Sequence, residues 1–253
     1  MNHAIAPRLA DSFHDYFRVV SAGSPALRAR VYRIRYQVYC DELHYERAED
    51  FPDGFERDAF DARSRHCLLR HVSSGQYAGC VRLVMADPED PTALLPFETF
   101  CRASLYDWVT DGILPRHGAF GEISRLAVPA LFRRRKGDGV LPGDASEGGV
   151  PAVLPQGGDH RHFPYIAVGL YLAAAAIGLD AGLEGVFAMM EPRLARHLRR
   201  FGFEFQQAGE VVDYHGERAA FYISRDQLFR HLDAEMYGLL EGIRHDLAAT
   251  VGA

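Results

Sequence analysis

The sequence predicts an α/β fold, an α+β sandwich in which a mixed and mostly antiparallel sheet is flanked by helices. Segments with strand character alternate along the chain with segments of helical apolar periodicity. Two early strands are joined by the short turn SSGQ, which indicates an antiparallel hairpin. With 253 residues, 48% of them hydrophobic, the chain can bury one sizeable core. We therefore expect residues 1–253 to form a single domain.

The N-terminal half predicts a strand, a helix and then three strands. The segment DYFRVV, from Asp15 to Val20, predicts the first strand. Ser24 and Pro25 supply an N-cap and a first-turn proline for the next helix. HCLLRHV and YAGCVRLVMA predict the hairpin strands, and FGEISRLAV predicts a strand that ends at Pro129. The apolar stripe of the helix is formed by Leu27, Val31, Ile34 and Val38.

The C-terminal half follows a segment rich in glycine and proline. Residues 133–163 lack an apolar period and predict a long mobile loop. A helix from Pro164 to about Gly182, the strand GVFAMM and the helix PRLARHLRRFG come next. FEFQQAG and VVDYHGERAAFYIS predict the last strands, the second of which turns near HG. Ser224 opens, with a capping-box pattern, a C-terminal helix over about residues 225–249.

Composition and charge exclude several classes of protein. The net charge of −6 gives no support to nucleic-acid binding. The N-terminus lacks a basic region followed by an apolar core, so no secretory signal is evident. The most apolar run, Ile166 to Leu179, is too short to span a bilayer. We expect a soluble cytoplasmic protein without an integral membrane segment, which leaves peripheral membrane association open.

Neither a nucleophilic triad nor a metal site finds support. There is no G-x-S-x-G motif. The HRH run at 160–162 has no further ligands at helical or strand spacing, which favours a polar loop over a metal site. The cysteines lie in or beside apolar segments, as is typical of inert buried thiols in a reducing compartment. They are Cys40, Cys67, Cys80 and Cys101.

Carboxylates and arginines are concentrated in four separated segments. VYRIRYQVYCDEL, GFERDAFD, GCVRL and GEISRLAV occur in this order. Together they resemble the acyl-homoserine-lactone (autoinducer) synthases, which are GNAT-fold enzymes. The family pattern has an arginine and an aromatic on the first helix, then E-x-D-x-F-D, a strand arginine and E-x-S-R. The matching residues are Arg35, Tyr39, Tyr45, Glu56, Asp58, Asp61, Arg82, Glu122, Ser124 and Arg125.

Two features separate the chain from typical autoinducer synthases. Tyr39 and Tyr45 stand where the family usually has Phe and Trp, and the loop and the C-terminal helix make the chain longer. MEPRLARHLRRFGFEF and VDYHGERAAFYIS look more like the acyltransferases associated with PEP-CTERM/exosortase systems. Those proteins in turn resemble N-acyl amino acid synthases. The resemblance covers about residues 15–245 and implies a GNAT-like fold.

The resemblance implies an N-acyltransferase that moves a fatty acyl group from an acyl-carrier-protein thioester to the α-amine of an amino acid. The donor is then a phosphopantetheine thioester, and no cofactor is permanently bound. The alternatives are an acyl-homoserine-lactone synthase that uses S-adenosylmethionine, and a non-catalytic sensor of acyl-carrier protein or acyl chains. A coenzyme A-dependent N-acetyltransferase is disfavoured. The R-x-x-G-x-G match at Arg134–Gly139 is followed by VLPGDASEGG, which cannot begin the helix that a pyrophosphate-binding loop requires.

The resemblance also suggests which groups carry the chemistry. An α-ammonium has a pKa near roughly 8 and must lose a proton before it attacks a thioester. Glu122 is the first candidate for the base, Glu56 is the second, and Arg125 is expected to orient one of them. The oxyanion is expected to meet backbone N–H groups where the Glu122 strand separates from GVFAMM.

Substrate binding is assigned to the remaining charged and aromatic positions. Arg35 and Arg82 are expected to bind the acceptor carboxylate, because a guanidinium matches it bidentately. Asp58 and Asp61 are expected to hold the ammonium or to brace the arginines. Asp61–Arg82 and Glu122–Arg125 can alternatively be structural ion pairs. The complete substrate-binding set is Arg35, Tyr39, Tyr45, Asp58, Asp61, Arg82 and Ser124.

Two further regions are candidates for contacts with the donor. Ala188 and Met190 are candidates for lining the acyl chain, with plain core packing as the alternative. Basic islands stand out in an otherwise acidic chain and suit either an acidic carrier protein or a solvated surface. The candidate docking residues are Arg133, Arg134, Arg135, Lys136, Arg196, Arg199 and Arg200.

Overall fold

The computed structural model describes residues 9–87, 89–90, 92–133 and 162–250. The helices are α1 (Leu9–Tyr16), α2 (Pro25–Tyr36), α3 (Pro96–Cys101), α4 (Asp107–Thr110), α5 (Ala130–Arg133), α6 (His162–Asp180), α7 (Pro192–Leu198), α8 (Arg225–His231) and α9 (Ala234–Thr250). The strands are β1 (Phe17–Ser21), β2 (Ser64–His71), β3 (Tyr77–Met85), β4 (Phe120–Ala127), β5 (Gly185–Met190), β6 (Gln206–Gln207), β7 (Val212–Asp213) and β8 (Glu217–Ser224).

The strands form one mixed sheet in the order β1-β2-β3-β4-β5-β8-β6, with β7 paired to β8. The pairs are antiparallel except for β4 with β5, which run parallel. A parallel neighbour needs a crossover connection, and α6 lies between these two strands in the chain. The prediction of a mixed, mostly antiparallel sheet flanked by helices is confirmed.

Helices cover both faces of the sheet. One face of β2 and β3, represented by Leu69 and Val81, packs with residues of α6 and α9. The opposite face, represented by Leu68 and Cys80, packs with α2. A third apolar cluster joins α3 and α4 to β4, β5 and β8 through Phe97 and neighbouring residues. The sheet is therefore the middle layer of a sandwich, as the alternating apolar pattern of its strands requires.

The chain ends differ in detail from the prediction. Asp15 and Tyr16 belong to α1, so the first strand begins at Phe17. The predicted C-terminal helix is wrong as one unit, because α8 ends at His231 and the next residue, Leu232, is extended, with φ of −70° and ψ of 126°. Asp233 then caps α9 by accepting a hydrogen bond from the Met236 N–H at 2.8 Å. A capping residue starts a new helix by satisfying one of its free N–H groups.

Parts of several predictions lie outside the described residues. These are most of the loop at 133–163, the R-x-x-G-x-G match and the docking candidates Arg134, Arg135 and Lys136. Within the described ranges, no helix combines the length and apolar character needed to cross a membrane.

Two irregularities of β4 create room in the middle of the sheet. Pairing between β4 and β5 ends at Ile123 and Ala188, although β4 continues to Ala127 and β5 to Met190. The register of β4 against β3 also shifts by one residue, because Arg82 pairs with Ser124 while Cys80 pairs with Ala127. An extra residue of this kind is a β-bulge, which redirects side chains.

Candidate active site

Arg35, near the end of α2, lies at the centre of a buried cluster of charges. Its guanidinium is fully buried; Nε donates to Glu56, and Nη1 donates to Oδ1 of Asp61 at 2.7 Å. The Glu56 N–H donates to the Tyr32 carbonyl at 3.1 Å, which holds the acidic loop against α2. Burial lowers the pKa of Arg35, but the carboxylates of Glu56 and Asp61 outweigh it, so the pKa is raised and the charge is kept.

Arg82 in β3 adds a second guanidinium to the same cluster. Its Nη1 donates to Asp58 at 2.5 Å and to Asp61 at 2.8 Å, and its Nε donates to the Ser124 hydroxyl at 3.1 Å. Asp58 and Asp61 are fixed locally, because they form a capping box at the start of the short helix 59–63. Burial raises the pKa of Asp61, but Arg35 and Arg82 lower it further, to about 2.

Arg125 completes the cluster from the β-bulge. Its φ of 51° lies in the left-handed region, and the bulge brings its side chain to the acidic residues. Its Nε donates to Glu56 at 3.0 Å, and its Nη2 donates to Glu46 at 2.9 Å and lies 3.7 Å from Asp58. Its guanidinium also lies over the Tyr39 ring, 5.4 Å from the centroid. The charged residues of the four segments therefore converge, and Glu46 joins them.

A cavity of about 340 Å³, here called the polar cavity, opens beside this network. It lies on the side of the sheet covered by α3, since Glu122, Pro96 and Phe97 line it. Its walls combine acids, guanidinium groups and aromatic rings. The charged lining residues are Glu46, Asp58, Arg82, Glu122, Arg125 and Arg218, and the aromatic ones are Tyr39, Tyr45, Phe60, Phe97, Phe100, Tyr214 and His215.

A second cavity of about 150 Å³, here called the apolar cavity, lies toward α6. Ala167 and Tyr171 of α6 line it together with Ala188 and Met190 of β5 and Leu194 of α7. The two cavities share one wall. It is formed by Tyr39, Tyr45, Ile123, Ser124, Arg125, Met189 and Arg218. The cavities thus meet where β4 and β5 separate.

Glu122 is a buried carboxyl group in the wall of the polar cavity, next in β4 to Ile123 of the shared wall. It is 2% exposed, lines the polar cavity, and its Oε2 accepts a hydrogen bond from the Phe97 N–H at 2.8 Å. Burial raises its pKa to about 8, although the Phe97 N–H, Arg82 and Arg125 each lower it in part. A carboxyl group with this pKa can accept a proton near neutral pH and release it again.

The structure corrects three expectations about the charged residues. Arg35 and Glu56 are 0% and 1% exposed and do not line either cavity, because each is enclosed by its ion-pair partners. Arg35 is therefore not placed to bind an acceptor carboxylate, and Glu56 is not placed to act as a base. Glu122 and Arg125 form no ion pair, because the bulge directs Arg125 to Glu56 and Glu46 instead. Asp61 and Arg82 do pair.

The aromatic candidates form a stacked row beside the junction. Tyr45 lies between Tyr39, at 6.4 Å between ring centroids, and His215, at 5.1 Å. Tyr39 also donates from its hydroxyl to the Leu126 carbonyl at 2.9 Å. His215 and Tyr214 belong to the turn before β8, and the Tyr214 ring contacts Phe100 at 5.0 Å. This turn was predicted from HG, but its position over the cavity was not.

The acyl-chain candidates and the basic patch lie on neighbouring elements. Ala188 and Met190 both line the apolar cavity, and both are also buried core residues. Arg133 lines the same cavity, where it pairs with Glu42. α7 starts directly after β5, so its basic residues are near this cavity in the chain. Arg193, Arg196, Arg199 and Arg200 are exposed.

The cysteines offer no nucleophile. All four are buried and free of disulfides, as predicted. Burial raises the pKa of Cys67 and of Cys80 to about 12. A thiol with so high a pKa is not a thiolate near neutral pH.

The comparisons with known proteins agree with this architecture. Residues 34–142 match the model of the acetyltransferase (GNAT) domain, a range that contains the whole charged network. The comparison with curated proteins gave no match.

Solved structures of acyl synthases share the fold. TofI, solved in a ternary complex with an inhibitor and MTA, is 20% identical, with 91% of this chain and 99% of that chain covered and a TM-score of 0.58. FeeM, an N-acyl amino acid synthase from uncultured soil microbes, is 12% identical, with 87% and 97% covered and a TM-score of 0.54. BjaI, a CoA-dependent acyl-homoserine lactone synthase, is 18% identical, with 89% of each chain covered and a TM-score of 0.53. Residues 34–142 therefore match the acetyltransferase (GNAT) domain, and the overall fold is shared with solved acyl-homoserine-lactone and N-acyl amino acid synthases.

Proposed function

We propose that the chain is an N-acyl amino acid synthase, which transfers a fatty acyl group from an acyl-carrier-protein thioester to the α-amine of an amino acid. One observation carries the proposal. An apolar cavity and a charged cavity meet at the separation of β4 and β5, and the buried carboxyl of Glu122 lines the charged one. An acyl chain and a polar amine need environments of opposite polarity that are joined at the reacting atoms.

The reaction proceeds by direct attack. Glu122 removes one proton from the ammonium, whose pKa of roughly 8 is close to its own. The amine nitrogen then forms a bond to the thioester carbonyl carbon. The resulting oxyanion is stabilised by backbone N–H groups of β4 or β5 that lack a sheet partner beyond Ile123 and Ala188. The carbon–sulfur bond breaks, and the thiolate leaves with the proton that Glu122 returns. The nitrogen loses its second proton to the Glu122 carboxylate as the neutral amide forms, and Glu122 releases that proton to solvent.

The donor is an acyl-carrier protein in this proposal. Arg196, Arg199 and Arg200 are exposed around α7, next in the chain to the β5 residues that line the apolar cavity. Such a patch complements an acidic carrier protein and accelerates its encounter. The alternative donor is a coenzyme A thioester, the donor that the name of BjaI specifies for that protein. Association with a PEP-CTERM/exosortase system stays a prediction.

Mass spectrometry of defined reactions tests the proposal. Purified chain is incubated with acyl-carrier-protein thioesters of several chain lengths and either an amino-acid mixture or S-adenosylmethionine. We expect N-acyl amino acids, and a rate that Glu122→Gln lowers by about 10²- to 10⁴-fold. Glu235→Gln, at an exposed position of α9, is the matched control.

Each alternative predicts a distinct product pattern in the same experiment. Acyl-homoserine lactone formed from S-adenosylmethionine alone would support the autoinducer synthase. Binding of acyl-carrier protein without amide from any amine would support the sensor. Equal turnover with coenzyme A thioesters would contradict dependence on the carrier.

A further inference from the structure

Arg218, on β8, differs from the other guanidinium groups at the two cavities. Arg82 and Arg125 each have carboxylates within 4.0 Å. Arg218 has none within that distance among the described residues, and its Nε is buried without a hydrogen-bond partner. It lines both cavities, with its guanidinium 5.6 Å from the centroid of the Tyr45 ring. A buried cationic donor without a partner is costly and suits an anionic ligand group.

The charges around the polar cavity are arranged asymmetrically. In the network, the guanidinium groups of Arg35, Arg82 and Arg125 face the carboxylates of Glu46, Glu56, Asp58 and Asp61. This leaves one negative charge in excess. Asp58 and Glu46, whose side chains are 25% and 26% exposed, also line the cavity. The cavity therefore offers carboxylates for a cationic group and Arg218 for an anionic one, which complements a zwitterion.

The position of Arg218 decides between the anionic groups available in the reaction. It belongs to the shared wall, where the proposed reaction brings the thioester carbonyl and the amine together. In an α-amino acid, the carboxylate and the attacking nitrogen are bonded to the same carbon, so both fit beside this wall. The phosphate of a carrier protein or of coenzyme A is separated from the thioester by the whole pantetheine arm. It lies far from the junction when the carbonyl is there.

We propose that Arg218 binds the carboxylate of an α-amino acid acceptor, so that the chain acylates zwitterionic amino acids in preference to simple amines. The inference rests on the proposed acyltransferase function and names the feature of the acceptor that is recognised. It replaces Arg35, which sequence comparison suggested for this contact and which the structure encloses with carboxylates.

Paired acceptors with and without the carboxylate test this assignment. L-phenylalanine is compared with phenethylamine, and L-leucine with isoamylamine, for the wild type and for Arg218→Gln, Arg218→Lys and Arg230→Gln. Arg230 is an exposed arginine of α8 and serves as the matched control. Each amine is compared with itself across the variants, so differences in amine basicity cancel. Steady-state kinetics give KM and kcat for acceptor and donor separately, and calorimetric titration gives acceptor binding without turnover.

We expect Arg218→Gln to raise KM for the amino acids by about 10- to 100-fold and to change kcat/KM for the simple amines by less than about threefold. Arg218→Lys should recover part of the loss, because an ammonium keeps the charge but not the bidentate geometry. Equal losses for both members of a pair, a raised KM for the donor instead, or unchanged selectivity would each overturn the assignment.

The wild-type results separate this inference from the proposed function. If the wild type forms no amide from any amine, the proposed function fails. The titrations then still decide the role of Arg218. Binding of L-phenylalanine or L-leucine that disappears in Arg218→Gln would uphold the carboxylate contact, and absence of binding by the wild type would reject it.

Discussion

Replacing Glu122 by Gln tests whether the buried carboxyl group in the wall of the polar cavity acts as the base. Gln can keep the hydrogen bond from the Phe97 N–H through its amide oxygen, so the local fold is preserved. It cannot ionise or take a proton. The substitution therefore separates the chemistry of the group from its packing.

The size of the expected change in the free energy of unfolding follows from the pKa of Glu122. Burial raises this pKa from 4.5 to about 8, and each pKa unit corresponds to about 1.4 kcal/mol. Between these values the folded state keeps a proton that the unfolded state has released. The stability contributed by Glu122 is complete below about pH 4.5 and is lost as the pH rises toward about 8, with an upper bound of about 5 kcal/mol. Glu122→Gln should remove this loss and unfold at a higher denaturant concentration than the wild type in alkaline buffer.

Activity should rise with pH over the range in which the stability of the wild type falls. The wild-type kcat/KM should rise with pH through an apparent pKa near 8, and that inflection should stay when the amine is exchanged for one of different basicity. Glu122→Gln should leave only the inflection of the amine itself. The reasoning would be refuted if the free energy of unfolding changed with pH in the same way for variant and wild type. It would also be refuted if the variant kept the inflection of kcat/KM near pH 8 that does not depend on the amine.

Three further predictions concern the apolar cavity, the buried network and the basic patch. Ala188→Leu adds a larger side chain to the apolar cavity, so kcat/KM over a series of thioesters should favour shorter chains, by roughly fourfold per excluded methylene; an unchanged ranking would contradict this. Asp61→Asn removes a carboxylate from two buried guanidinium groups and should cost about 3–5 kcal/mol in denaturant unfolding. Because the pKa of Asp61 is lowered from 3.8 to about 2, roughly 2.5 kcal/mol of this stability depends on the ionised carboxylate. That part is present above about pH 4 and should be lost in the wild type as the pH falls toward 2, whereas the exposed control Asp53→Asn should change the stability little. Arg199→Gln combined with Arg200→Gln should raise KM for the carrier thioester and lower its salt dependence without affecting a coenzyme A thioester; unchanged kinetics with the carrier would exclude the patch.

Local patterns of the sequence predicted most of the sheet. The hairpin β2–β3, the strand β5 and the turn before β8 follow from alternation and turn residues, whereas the parallel pairing of β5 with β4 was not predicted. The break at Leu232 was missed because the apolar stripe continues from Leu228 to Met236 across it. A stripe reports which side chains are buried, and two helices meeting at an angle can bury the same set.

The charged site was predictable as a set but not residue by residue. The E-x-D-x-F-D loop and the E-x-S-R strand meet through the ion pairs of Arg125 with Glu56 and Asp58. The bulge at Arg125 decides which of these side chains face the cavity. It could not be predicted, because a strand with one inserted residue has the same kinds of residues as a regular strand. Arg218 had no local signal, because its significance comes from the lack of a carboxylate partner in three dimensions.

The closed charge network has a consequence for how a new acceptor specificity can arise. Each of its guanidinium groups depends on carboxylates from another segment, so a single substitution there leaves an orphan ion in the interior. The rim of aromatic side chains carries no such constraint: Phe100 is 56% exposed, and Tyr214 meets it from a separate turn. Diversification of the acceptor, in evolution or in the laboratory, is therefore expected to proceed through these rings while the ionic framework stays constant.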